Sequence, residues 1–310
     1  MTPPFARSPE CGDASVGTHR ILVEEDMSAA GTPKENVGIV GVGRMGLAML
    51  KHLVRHGYPV TACDLSERQL EQARAAGATT VATPADLARS ATFIIIGVGY
   101  DEEVEQVVFA ADGLLAGLSA GSIMAVSSTV APDLMKRIDE AAGPKGIDVL
   151  DAPICRGRFA ADEGTLLALL GGKPAVVERA RPVYAAFCSD IAHLGEVGHG
   201  QVGKAMNNLL LWVNGVALIE AGRLAESTGI DLVKLRDALL ISSGSSAALA
   251  DWDTVSFTWA LKDMQIVAKM ADAANLSLPV TGAIRELVKE ARRIKGSNPP
   301  AWTGKRASPA

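Results

Sequence analysis

Cysteine, clustered charge and long apolar runs are all scarce in this chain, and each scarcity closes off a class of function. The four cysteines among 310 residues (Cys11, Cys63, Cys155 and Cys188) lie far apart, with no CxxC or other metal-binding spacing. They read as reduced thiols in a cytoplasmic protein, and no metal site is expected. The net charge is −5 and no block of lysine and arginine stands out, so neither nucleic acid nor a membrane surface is an expected partner. No uninterrupted apolar run reaches the ~18 residues that a bilayer span needs.

What is present is an ordinary globular composition, 48% apolar and 21% charged, in a chain long enough for two domains. Residues 1–35 are rich in Pro, Gly, Ser and Thr without apolar periodicity, and read as a disordered N-terminal extension. ILVEED within it is too short and acidic for a signal-peptide core, and Met27 is a candidate functional start. GSNPPAWTGKRASPA (296–310) reads as a second flexible tail.

From Val37 the pattern becomes regular. VGIV (37–40), PVTACD (59–64), TTVA, ATFIIIG, GSIMAVSS and IDVLDAP are strand candidates. Helical stretches such as LSERQLEQARAAG, PADLARS, DEEVEQVVFA and PDLMKRIDEAA separate most of them, which predicts a parallel, doubly wound α/β sheet. Past residue 200 the strand signals stop. Val202, Met206, Leu209, Val213, Val216 and Ile219 recur at helical spacing, predicting one long helix from about Val202 to Thr228. Further helices follow in DLVKLRDALLIS, WALKDMQIVAKMADAAN and PVTGAIRELVKEARRI. The expected layout is a dinucleotide-binding domain over 36–197 and a helical substrate and oligomerisation domain over 198–295, joined by that helix.

Two segments carry chemistry. GVGRMG (41–46) fits GxGxxG between a strand and a helix, the Rossmann arrangement, with Asp64 closing the next strand. Gly41 makes the turn, Gly43 admits a pyrophosphate and Gly46 lets helix and strand pack closely, while the helix N-terminus attracts phosphate charge. Asp64 would accept hydrogen bonds from the adenosine ribose and repel a 2′-phosphate, favouring NAD over NADP. Arg68 could offer such a phosphate a cation, but reads better as a surface arginine. In GHGQVGKAMNNLL (198–210), Lys204 and Asn208 share a helix face at i, i+4. A lysine partly desolvated near other cations gives up its proton more readily, making Lys204 a candidate acid/base.

GVGRMGLAM (41–49), SSTVAP (127–132), DAPICRG with GTL (151–157, 164–166), GHGQVGKAMNN (198–208) and LKDM (261–264) occur in that order. With them the chain resembles the β-hydroxyacid dehydrogenase family, whose members include 3-hydroxyisobutyrate dehydrogenase, tartronate semialdehyde reductase and relatives of 6-phosphogluconate dehydrogenase. The resemblance covers about 36–295.

It implies NAD-dependent interconversion of a small anionic β-hydroxy acid and its semialdehyde or keto form. Lys204 then matches the family's general acid/base and Asn208 an asparagine that holds substrate. Gly41, Val42, Gly43, Arg44, Met45, Gly46, Asp64, Val98, Gly99, Thr129 and Lys262 would line the cofactor, and Ser128, Cys155, Arg156 and Gly157 the substrate. Where relatives usually read DAPVSGG, this chain reads DAPICRG, so Cys155 stands for the serine and Arg156 for the first glycine. Arg156 is expected to anchor an anion, against the alternative of an outward arginine paired with Asp162 or Glu163. A homodimer or homotetramer is also implied. Imine reduction on the same scaffold and a catalytically silent cofactor-binding module are the alternatives, and Lys204 argues against both.

Four remaining features read as structural. His193 and His199 lack an adjacent acid–nucleophile arrangement. Trp252, Phe257 and Trp259 read as helical core and interface, 241–252 as a connector, and Cys63 as a buried strand residue.

Overall fold

The computed structural model describes residues 34–304, so residues 1–33 of the N-terminal extension, Met27 among them, and the last six residues lie outside the described residues, while Glu35 at the extension's end is ion-paired with Arg179 and is not loose. The first half alternates strands and helices: β1 (Val37–Val40), α1 (Arg44–Arg55), β2 (Val60–Cys63), α2 (Glu67–Ala75), β3 (Thr79–Thr80), α3 (Pro84–Ser90) and β4 (Phe93–Ile96). It continues with α4 (Asp101–Phe109), α5 (Leu114–Gly117), β5 (Ile123–Val126), α6 (Pro132–Ala142) and β6 (Asp148–Asp151). Then come β7 (Ile154–Cys155), α7 (Gly157–Glu163), β8 (Leu166–Gly171), α8 (Pro174–Ala185) and β9 (Cys188–Gly195).

Strands β3-β2-β1-β4-β5-β6 run parallel in that order. Every residue of β1, β4 and β5 is buried, because helices cover both faces of a parallel sheet and leave no polar side. One apolar core lies on each face, the first including Ile39, Phe93 and Tyr184, the second Ile94, Ile96 and Met135. Local chemistry agrees with the topology at α3, where Thr83 accepts the Asp86 N–H and Pro84 opens the helix.

The sheet is not parallel throughout. β8 runs antiparallel to β6 and β7 and carries β9 parallel on its other edge. The seven-residue α7, bounded by left-handed Arg156 and Gly164, is too short for a crossover, so the chain reverses there.

The second half is helical: α9 (His199–Ser227), α10 (Leu232–Leu240), α11 (Ala247–Ala250), α12 (Ala260–Ala273) and α13 (Pro279–Ser297). By length and mean hydropathy (1.2) α9 could cross a bilayer, which a search for unbroken apolar runs does not detect. Here Ala205, Trp212, Val216 and Ile219 on α9 pack with Phe257, Met264 and Val288 in a third core. Trp252 and Phe257 belong to this core, whereas Trp259 is 45% exposed. The stretch 241–252 is not merely a connector, for it contains α11, capped by Ser246, with Ala248 and Leu249 buried.

The expected flexible tail is corrected over its described part. Residues 296–297 finish α13, and Trp302 is fully buried with its indole N–H donated to Leu218 O at 3.0 Å. The Trp252 indole donates to Pro300 O at 3.1 Å. A polar, proline-containing composition hid one large aromatic anchor, and burial of that indole holds the segment down.

Candidate active site

The glycine turn is built for a close approach. Gly41 has φ +90°, and a Cβ on Gly46 would meet Gly41 O at 2.0 Å, so the start of α1 abuts the end of β1 only because no side chain intervenes. A Cβ on Gly43 would meet nothing within 4 Å, and no side chain caps α1. The first-turn N–H groups and the helix dipole are thus available to an anion. Asp64, just past β2, accepts the N–H of Val42 (2.7 Å) and of Ser66 (2.8 Å), which fixes its carboxylate beside the turn. An open glycine cradle, an uncapped helix and a fixed carboxylate fit the pyrophosphate and ribose of a dinucleotide. Arg44 forms an ion pair with Asp162 of α7, and Met45 packs on the first core.

The loop after β4 lies against this turn, and the loop after β5 braces it. The Val98 N–H is held by Ser128 Oγ at 2.9 Å, and Gly99 N–H by Glu103 Oε2 at 2.7 Å. Ser128 is 5% exposed, and its hydroxyl braces the loop after β4. Lys262 of α12 donates to Thr129 O, tying the helical half to the loop after β5. Burial holds the Lys262 ammonium below the usual lysine range, with Asp263 and Asp101 opposing that shift.

Lys204, on the second turn of α9, donates to Ile154 O at 2.7 Å and reaches Cys155 Sγ at 3.7 Å. Expected partners of the reaction are thereby brought together: the lysine and the turn of DAPICRG. Asn208, one turn on, is buried; its Oδ1 accepts from Asn207 at 3.0 Å and its amide bonds to the Asp263 carboxylate.

Sequence reasoning overlooked the residues that hold this arrangement. Asp151 is fully buried and accepts the N–H groups of Gly198 and Gln201, both at 2.8 Å, at the start of α9. Its side chain fixes the helix that carries Lys204. Burial pushes its carboxyl up to about 6, against the pull of the Gly198 and Gln201 N–H groups. Gln201 is 1% exposed and clamps the SST loop, accepting from Val130 N–H (3.1 Å) and donating to Ser128 O (2.8 Å). Asp263 accepts from the Trp212 indole at 3.0 Å, and burial raises its carboxyl above the usual value. All three lie inside quoted motifs, but only Gln201, an amide between glycines at a helix start, carried a local signal.

Arg156 has partners that the sequence did not suggest. Its Nη1 donates to Asp190 Oδ2 (2.6 Å), Ser189 Oγ (2.9 Å) and Thr165 O (3.1 Å). Through Nη1 the guanidinium is engaged on the β9 side of the sheet, and its carboxylate partner is Asp190, neither Asp162 nor Glu163. Arg156 (φ +83°) and Gly157 (φ +73°) are both left-handed; the Arg156 side chain reaches Thr165, Ser189 and Asp190, while Ile154 O and Cys155 Sγ lie beside Lys204. His193 bonds Gly172 O and Gly195 O, each at 2.9 Å, as loop bracing. Among the described residues no cluster of three or more metal-ligating side chains occurs. Cys63, Cys155 and Cys188 are free and buried, and burial pushes the Cys63 thiol up to about 11.

Comparison with known proteins agrees with this geometry. Residues 36–195 match the NAD binding domain of 6-phosphogluconate dehydrogenase, and 198–299 the NAD-binding domain of NADP-dependent 3-hydroxyisobutyrate dehydrogenase. The NAD-dependent L-serine dehydrogenase of Pseudomonas aeruginosa is 34% identical over 69% of this chain and 72% of its own length. The 2-(hydroxymethyl)glutarate dehydrogenase of Eubacterium barkeri is 30% identical over 83% of this chain and 89% of its own. The fold of Mycobacterium tuberculosis 3-hydroxyisobutyrate dehydrogenase, solved with L-serine, superposes with a TM-score of 0.76 at 24% identity, covering 83% of this chain and 94% of that one. Two domain matches that together span most of the chain, and a lysine helix seated against the DAPICRG turn, place the protein in the β-hydroxyacid dehydrogenase family.

Proposed function

We propose that the protein oxidises a small β-hydroxy acid, or reduces the corresponding semialdehyde, with NAD as the preferred cofactor and Lys204 as general acid/base. The observation that carries this reading is the position of Lys204, whose ammonium is held at Ile154 O beside Cys155. The named substrates of the relatives, L-serine, 2-(hydroxymethyl)glutarate and 3-hydroxyisobutyrate, share a hydroxyl on the carbon β to a carboxylate. That shared unit is the substrate class we assign here.

A bound nicotinamide supplies or accepts the hydride. The first turn of α1 with Gly43 would hold its pyrophosphate, Asp64 its ribose, and Val98, Gly99, Thr129 and Lys262 would flank it. In oxidation, neutral Lys204 takes the hydroxyl proton; in reduction, its ammonium returns one to the carbonyl oxygen. Asn208 orients that oxygen from the same helix face, and the backbone of Cys155–Gly157 receives the carboxylate. Asp64 supports NAD over NADP, since a second carboxylate-facing anion would be repelled. Lys204 also weighs against imine reduction and against a silent scaffold.

The exposed stripe of Met206, Leu210, Ala217, Ala221 and Leu224 along α9 supports a homodimer or homotetramer. Buried free thiols support a cytoplasmic setting. The decisive experiment follows NADH absorbance across a panel of β-hydroxy acids, for the native enzyme and Lys204→Ala. The expected outcome is turnover that falls roughly 10²–10⁴-fold in the variant with cofactor affinity retained. Near-native turnover in Lys204→Ala would refute the assignment. Asp64→Ser, assayed with both cofactors, should narrow the preference for NAD over NADP, and light scattering gives the assembly state.

A further inference from the structure

Lys204 has an unusual set of companions for a part-buried lysine. Its ammonium has three donors; one goes to Ile154 O at 2.7 Å, and a second faces Cys155 Sγ at 3.7 Å. No ion pair of Lys204 forms among the described residues, and the charged groups facing it are Lys262 and Asp263 of α12. Asp263 is itself engaged by Trp212 and Asn208. Asp151 of β6 points instead to the N–H groups of Gly198 and Gln201 at the start of α9. The thiol is 4% exposed and its strand, β7, is zipped to β8 through the Cys155–Leu167 register. Cys155 therefore stays put beside the ammonium.

We propose that Cys155 is a positioning residue for Lys204: its sulfur is the ammonium's weak second acceptor, aiming the third N–H at the reacting oxygen and holding the protonated lysine less firmly than an oxygen would. The proposal rests on Lys204 being the acid/base. Sulfur is a weak acceptor, whereas a hydroxyl oxygen forms a short, charge-assisted bond. An acceptor that binds the cation more firmly favours the protonated state and delays its loss to higher pH. No bond forms or breaks at the sulfur during turnover.

The test is the pH profile of kcat/KM in the oxidation direction for the native enzyme, Cys155→Ser and Cys155→Ala, each checked for cofactor affinity and melting temperature. The lysine limb of Cys155→Ser should move to higher pH by roughly 0.5–1 unit, and that of Cys155→Ala in the opposite direction. Both variants should keep their cofactor affinity. If turnover drops in both variants at every pH while the limb stays where it is in the native enzyme, Cys155 is only a packing residue and the proposal is overturned. Should Cys155→Ser fail to fold, the Cys155→Ala shift decides alone. A native-like Lys204→Ala refutes the underlying acid/base reading; an inactive Lys204→Ala with an unmoved Cys155→Ser limb refutes this proposal and leaves that reading intact.

Discussion

The indole of Trp259 and the ring of Tyr100 sit 5.7 Å apart, centroid to centroid, inclined at 58°. One belongs to the residue before α12 and the other caps α4, so the pair bridges the helical half and the loop after β4. Lys262 lies 5.8 Å from the Tyr100 centroid and 5.9 Å from that of Trp259, and its ammonium also holds Thr129 O. The three side chains form one clasp between α12 and the loops after β4 and β5, which the proposed function sets beside the cofactor. Trp212, Trp252 and Trp302 are all buried while Trp259 is not, so its emission should respond most to cofactor. Trp259→Ala should weaken NADH binding by about 3–10-fold, the worth of an aromatic pair, chiefly through faster release in stopped-flow fluorescence. Unchanged release would show that the clasp is ornamental to cofactor binding.

Arg156 occupies a left-handed position that suits glycine, at a cost of roughly 1–2 kcal/mol. Its bonds to Asp190, Ser189 and Thr165 O offset that cost, although an exposed ion pair contributes only about 0–1 kcal/mol. Arg156→Gly should therefore leave the unfolding free energy within about 1 kcal/mol of the native value. It should change KM equally for mono- and dianionic hydroxy acids. A rise in KM confined to dianionic substrates would return the guanidinium to the binding site.

Asp151 links pH to stability. Its carboxyl is raised to about 6 from an ordinary value of 3.8, burial outweighing the Gly198 and Gln201 N–H groups. A raised carboxyl means that the folded protein binds more protons than the unfolded chain between those values. Stability from this group is therefore greatest at low pH and declines as pH rises from about 4 to about 6, by at most ~3 kcal/mol. Asp151→Asn removes that slope, so the stability of the native protein relative to the variant should fall by up to ~3 kcal/mol between pH 4 and pH 7. Denaturant unfolding across this range measures it, and a constant gap would contradict it.

Trp302 anchors the chain beyond α13. It is fully buried, and a Cβ on Gly222 would come within 3.1 Å of its indole nitrogen. Trp302→Ala should cost about 3–5 kcal/mol of stability, read by denaturant melts, while cofactor affinity persists. A loss below about 1 kcal/mol would mean that the tail contributes little.

Much of this architecture was legible without coordinates, because it rests on local periodicity. The spans of α3 and α6 match PADLARS and PDLMKRIDEAA residue for residue, and VGIV, FIII and IMAV form buried strands where apolar runs met turn signals. The stretch from 152 to 197 was far less legible. β7 and α7 are short, β8 is apolar throughout, and β9 pairs only because β8 lies beside it. Antiparallel reversal there follows from two consecutive left-handed residues, one of them an arginine, which no periodicity announces.

The same division runs through the site. Motif order and spacing were enough to put Lys204 on a helix face, glycines before α1 and an acid after β2, since each is a short-range property of the chain. Which groups meet across the fold was decided only by packing. Tertiary structure set Lys204 against Ile154 O and Cys155, seated Asp151 under the first turn of α9, turned Ser128 into a loop brace and drew Arg156 to Asp190. The physical reason is that hydrogen-bond partners are chosen by distance in space, and these pairs are 30–50 residues apart along the chain.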